Sequence, residues 1–186
     1  MGMKLKILPD HDPLDPRRDF DNLGTMVCYH KRYKIGDEQR DWREVDREGR
    51  VILPVYMYDH SGVTIRTKPF RSRWDSGQLG VIYIDHEIIE EVKGDLSDES
   101  REWARDVLRG EVHQVDLYLR GQVWGFVVKE TCEHCGHELD EVVDSCWGHY
   151  GEDLEETGIR FNIPEEVEDQ LEDAWEGRFD NIAHAC

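Results

Sequence analysis

Lysine is scarce in this chain, with seven residues in 186 beside 42 aspartates and glutamates. Broad contact with nucleic-acid phosphates is therefore not expected, because DNA affinity rests on Lys and Arg displacing counterions. Long apolar runs are also missing. Stretches such as Val81-Ile82-Tyr83-Ile84 fall far short of the ~18 residues that a membrane-spanning helix needs. The apolar stretch after Lys4 and Lys6 stops at Pro9, too short for a secretory signal core, and Lys6 stands where an N-myristoylation motif has Ser or Thr. These absences predict a cytoplasmic protein with no membrane partner. No Gly-rich loop leads into Lys and Ser or Thr, and no dinucleotide fingerprint is present, so the two commonest phosphate cradles are excluded. Five cysteines (Cys28, Cys132, Cys135, Cys146 and Cys186) form an odd set that fits reduced thiols or metal ligands better than a disulfide framework.

Acid is abundant and unevenly placed. Residues 1–75 hold 15 Lys and Arg against 13 Asp and Glu, residues 76–137 hold 6 against 13, and residues 138–186 hold 2 against 16. The C-terminal quarter therefore carries most of the net charge of −19. Such a surface repels DNA and favours a basic protein partner, although it also serves solubility or a salt-rich host. The balanced first 75 residues count against salt adaptation, which predicts acidity throughout.

Periodicity predicts strands first and helices after. Lys4–Leu8, Thr25–Lys31, Val51–Tyr58, residues 63–68 and Leu79–Ile84 read as strands, with Pro54 marking an edge or a bulge. Residues 35–50 read as a loop or weak helix. A long helix is expected from Ser97 to Leu119, with Ser97 as N-cap, acids in the first turn and a break at Gly110. Two more strands follow, Gln122–Glu130 and Glu138–Trp147. A last helix opens near Pro164 with Val167, Leu171 and Trp175 as its apolar stripe. That stripe leaves Glu165, Glu168, Asp169, Glu172 and Asp173 facing solvent. The expected architecture is α+β: a largely antiparallel sheet, one long packed helix and an acidic C-terminal helix. Its length suits a single domain, 1–186, with a core at 20–150 and an acidic helical extension at 151–186.

The most specific local chemistry is Cys132-Glu133-His134-Cys135-Gly136-His137. A Cys-x-x-Cys-Gly turn points two thiolates at one zinc ion, and zinc then needs two further ligands. Cys146 and His149 offer a tempting spacing, but an extended 138–146 would carry Cys146 to the far end of the hairpin. Either that segment curls, or the set is Cys132, Cys135 and His137 (or His134) with ligands from elsewhere. Catalytic candidates are few. His60 and Asp75 lie in turn-like segments, Cys28 and His30 are two apart on an expected strand, and His86-Glu87-Ile88-Ile89-Glu90 has Glu where the zinc protease motif has His. Arg66, Lys68, Arg71 and Arg73 run beside Phe70 and Trp74, a pattern suited to phosphate contact or to pairing with the chain's own acids.

Four segments in combination carry a resemblance: Asp21-Asn22-Leu23-Gly24-Thr25-Met26-Val27-Cys28, Tyr58-Asp59-His60-Ser61-Gly62, Trp74-Asp75-Ser76-Gly77-Gln78 and Asp144-Ser145-Cys146-Trp147-Gly148. Over residues 20–150 the chain resembles a family of small accessory proteins encoded by tailed viruses of bacteria and archaea. The resemblance implies a viral accessory protein in the cytoplasm of an infected host, and it transfers no catalytic residue. The expected function is binding to a host or viral protein with a basic surface, in the manner of a DNA-mimicking inhibitor of a host factor. Two alternatives stay open: a small hydrolase around His60 and Asp75, and a zinc-stabilised structural or interaction module.

Overall fold

The computed structural model describes residues 2–72 and 74–179. In chain order its elements are β1 (Gly2–Pro9), β2 (Thr25–Cys28), β3 (Glu38–Gln39), β4 (Arg50–Asp59), β5 (Val63–Arg66), β6 (Ser76–Asp85), α1 (His86–Lys93), α2 (Asp98–Leu119), β7 (Val123–Thr131), β8 (Glu138–Tyr150), α3 (Leu154–Thr157) and α4 (Leu171–Glu176). The fold is α+β with mostly antiparallel sheets, as the periodicity predicts. Among the described residues no helix is long and apolar enough to cross a membrane.

The reading of one domain with a 20–150 core divides the chain differently from its packing. Two compact units form: unit 1, the chain up to Leu14 together with the chain from Gly121 onward, and unit 2, Asp15–Arg120.

Unit 2 is a five-stranded sheet in the order β3-β2-β6-β4-β5, antiparallel except for β2 with β3. Side chains alternate across β2 and β6. Met26, Cys28, Ile82 and Ile84 join the core under α2, while Val27, Val81 and Tyr83 pack with Val45 on the other face. Helix α2 buries Ala104, Leu108, Val112 and Val115 against the sheet and runs without interruption through Gly110, where a break is expected. Packing of an apolar stripe outweighs the roughly 1 kcal/mol that one glycine costs. Ser97 caps the helix, accepting from the Ser100 N–H at 3.2 Å. Pro54 sits beyond the reach of β5, which pairs only with residues 56–59, and the register of β4 slips between Val55 and Tyr56. Both the edge and the bulge that proline suggests are therefore present.

Unit 1 is the antiparallel sheet β1-β7-β8. Leu5, Ile7, Trp124, Phe126 and Val128 pack against Leu154, Ile159, Val167, Leu171 and Trp175. Half of this core comes from beyond residue 151, so the C-terminal segment builds the unit rather than extending it. Gln170 fastens it to β1, accepting from the Leu5 N–H at 3.0 Å and donating to the Met3 carbonyl at 3.1 Å. The helix expected from Pro164 is in fact a 3-10 turn, Glu165–Gln170, followed by α4. The stripe survives the tightening, and Val167, Leu171 and Trp175 are all buried.

Candidate functional site

The acidic face of unit 1 is assembled by short turns. Asp153 caps α3, accepting from the Glu156 N–H at 2.9 Å. Gly158 ends that turn at φ 64°, and the 3-10 turn Ile159–Phe161 follows. Ile159 is thereby driven into the core while Phe161 is left 87% exposed. Around it Asp153, Leu154, Glu155, Arg160, Phe161, Glu172 and Trp175 line an open hollow of about 560 Å³. Glu165, Glu168, Asp169, Glu172 and Asp173 are all exposed. Arg160 bridges Glu168 at 3.3 Å and also Glu172. Arg178 stacks over Trp175 at 3.9 Å. Both basic residues of the last quarter are thus engaged, and Glu165, Asp169 and Asp173 make no ion pair among the described residues. The result is an acid-rimmed hollow with an apolar floor.

The segments that suggested an enzyme meet at a cleft of about 370 Å³ in unit 2, lined by Tyr29, His30, Arg32, Asp59, Trp74 and Asp75 among others. Strand pairing sets Tyr58 against Ser76, and the Asp59 N–H donates to the Asp75 carbonyl at 2.9 Å, so two separate turns share one end of the sheet. Asp59 accepts from Arg32 at 2.5 Å and from the Tyr33 hydroxyl at 3.2 Å. His30 stacks on Tyr33, and its Nδ1 accepts from the Arg32 and Tyr33 N–H groups at 3.3 Å. His60 is outside the cleft wall, and its Nδ1 lies 3.8 Å from Asp75 Oδ2, too long for a hydrogen bond. Strand β2 ends at Cys28, which is buried behind the cleft, and burial followed by the Asp37 charge pushes its thiol up to about 12. The strand expected over Thr25–Lys31 thus stops at Cys28 and does not carry His30 on the same face. Asp144 belongs to unit 1, on an exposed stretch of β8.

Arg66 is used on its own turn, donating to the Lys68 and Pro69 carbonyls and stacking over Phe70 at 3.9 Å. Arg73 lies outside the described residues. His86 and Glu90 fall on α1, an element that sequence reading treats only as a failed metal motif.

Cys132 and Cys135 stand at the tip of the β7–β8 hairpin, with both thiols free. Backbone N–H groups of His134 and Cys135 hold the Cys132 thiol below its ordinary range. Cys146 pairs across from Phe126, far down the ladder from Thr131 and Glu138. Among the described residues no group of three or more His, Cys, Asp or Glu is placed to hold a metal ion, and His137 is not brought into such a set.

Sequence reasoning missed Phe161 and Tyr29, whose exposures of 87% and 59% run against their apolar character, and it named Trp74, 96% exposed, only as a neighbour of the basic run. No periodicity marks them, since Phe161 sits in a 3-10 turn and Tyr29 just past the end of β2. Set against family models, curated proteins and solved structures, the chain matches none.

Proposed function

We propose that this chain is a viral accessory protein that binds a protein partner in the infected cell, using the acidic hollow of unit 1 to engage a basic surface. What supports the reading is the convergence of acids on exposed aromatic area at one place. A solubility surface needs charge alone, whereas a binding surface combines apolar anchors with a charged rim. An arginine or lysine of the partner would lay its methylenes on Phe161 and Trp175 and place its charge beside Glu172 and Asp153. In the sharper form, the face competes with nucleic acid for a basic groove of a host factor. The hydrolase reading has weaker support, because His60 and Asp75 are not in hydrogen-bond contact and Cys28 is buried and protonated.

The test is a binding measurement on the partner recovered with the tagged full chain from infected cells. Affinity should fall steeply with salt, fall at least tenfold in F161A, and fall further in a variant carrying E165Q, E168Q, D169N, E172Q and D173N. Unchanged affinity in all three arms ends the reading, and a partner displaced by DNA selects the mimic form.

A further inference from the structure

The tip of the β7–β8 hairpin is built more carefully than a connecting turn requires. The Cys132 N–H donates to the His137 carbonyl at 2.8 Å, and the Cys132 carbonyl accepts from the Gly136 N–H at 2.8 Å. Gly136 adopts φ 69°, a left-handed conformation that residues with a Cβ avoid. This closure sets Cys132 and Cys135 three positions apart on one tight turn, the spacing of a two-sulfur knuckle. Cys132 is half-buried and Cys135 exposed, so both sulfurs are open to solvent. Two cysteines on one tight, backbone-closed turn are the half-complement of a tetrahedral soft cation.

The other half is not supplied by the described part of the chain. Among the described residues no group of three or more His, Cys, Asp or Glu is placed to hold a metal ion. Cys146 is opposite Phe126 whereas Glu138 is opposite Thr131, a separation of five β7 residues, or roughly 17 Å of strand. Next to the knuckle, β8 is a sheet edge, paired with β7 alone, and it exposes Leu139, Val142 and Val143 by 39%, 50% and 48%. Exposed apolar side chains on a sheet edge form a surface that proteins normally cover, although here Asp140, Glu141 and Asp144 interrupt them. One occupant supplies both missing things, two thiolates and apolar side chains to set against Leu139, Val142 and Val143, and that is the same hairpin of another copy.

We propose that Cys132 and Cys135 form half of a zinc site that a second copy of this chain completes with its own Cys132 and Cys135, clasping two hairpins into a homodimer. Electrostatics makes the clasp depend on the metal. Each hairpin carries Glu133, Asp140, Glu141 and Asp144 as exposed acids, so without a cation at the tip the two copies repel. The proposal is independent of the acidic hollow and of any partner bound there.

The full chain, purified under reducing conditions, stripped with a chelator and then titrated with zinc sulfate, tests it by mass and metal content. About half an equivalent of zinc per chain should convert monomer to dimer, and chelation should reverse the change. Cobalt in place of zinc should give thiolate-to-metal charge-transfer absorption with the visible bands of a tetrahedral all-sulfur site. C132S and C135S, which alter exposed tip residues and should keep the wild-type circular dichroism, should stay monomeric and metal-free. C146S and C186S should behave as wild type. One full equivalent of zinc on a monomer, no zinc bound, loss of binding in C186S, or a dimer that persists in C132S would each overturn the proposal.

Discussion

The two compact units carry similar numbers of acids, 20 in unit 1 and 22 in unit 2, but only 5 Lys and Arg accompany the first set and 18 the second. Net charges of −15 and −4 follow. The difference lies in what the acids meet. In unit 2, the Arg17 side chain is 4% exposed and donates to Glu111 at 2.7 Å, to Asp37 and to the Gly24 carbonyl, while Glu111 accepts from the Leu23 and Gly24 N–H groups. Asp116, buried, accepts from the Ile65 N–H at 2.7 Å and the Thr64 hydroxyl. Asp95 takes hydrogen bonds from Ser100 and Ser97 at the start of α2, which draw its carboxyl down to about 2. These acids fix loops and helix ends to the sheet. In unit 1 most acids point outward from a core made by apolar side chains. Net charge alone does not separate fastening acids from displayed ones.

The largest expected effect tests the fastening. Arg17→Ala leaves Asp37 and Glu111 partly buried and unpaired, and should destabilise the protein by about 3–5 kcal/mol in urea unfolding. A loss under about 1 kcal/mol would make unit 2's acids as dispensable as those of unit 1 and break the comparison.

A middle effect probes an acid of unit 1 that two lysines fasten. Glu138 is held by Lys4 at 2.8 Å and Lys6 at 2.5 Å, which lower its pKa from 4.5 to about 2. A depressed carboxylate contributes stability that is fully present above its unfolded pKa and is lost as pH falls through its folded one. Thermal melting followed from pH about 5 down to about 2 should therefore show wild type losing stability relative to E138Q. Parallel pH curves would mean that the clamp contributes nothing to folding.

The smallest effect concerns the displayed acids. Replacing Glu165, Glu168, Asp169, Glu172 and Asp173 with their amides should move stability by only about 0.5 kcal/mol. Relief of repulsion between exposed acids offsets the loss of the Arg160 pairs. A drop of several kcal/mol would place these acids with the fastening kind.

Alternation and stripe patterns made the elements legible. Val63 and Ile65, Met26 and Cys28, and Val167, Leu171 and Trp175 advertise their buried faces because burial repeats with strand or turn period. The division into two units was not legible, since it depends on β1 pairing with β7, and register between distant strands leaves no mark on local sequence. The five acids of the C-terminal face were found by charge counting, and their exposure follows from the stripe. Phe161 was invisible because its outward direction comes from Gly158 and the tight turn after it. The Cys132–Cys135 turn was readable from spacing, whereas the strand that separates it from Cys146 became certain only with the β7–β8 register.

The pairing of β1 also bears on how the polypeptide is made. Pro9 lies opposite Trp124, and the Asp10 N–H donates to the Val123 carbonyl at 2.8 Å, so the backbone departs from unit 1 and returns to it at neighbouring points. During synthesis the first strand emerges long before its neighbour, and must wait as an unpaired edge while the intervening hundred residues form a complete sheet and helix of their own. The same adjacency makes the intervening unit an insertion in the engineering sense. Joining Asp10 to Val123 through a two- to four-residue turn yields an ordinary antiparallel hairpin, and with it a shortened chain in which the acidic hollow and the cysteine tip can be studied alone.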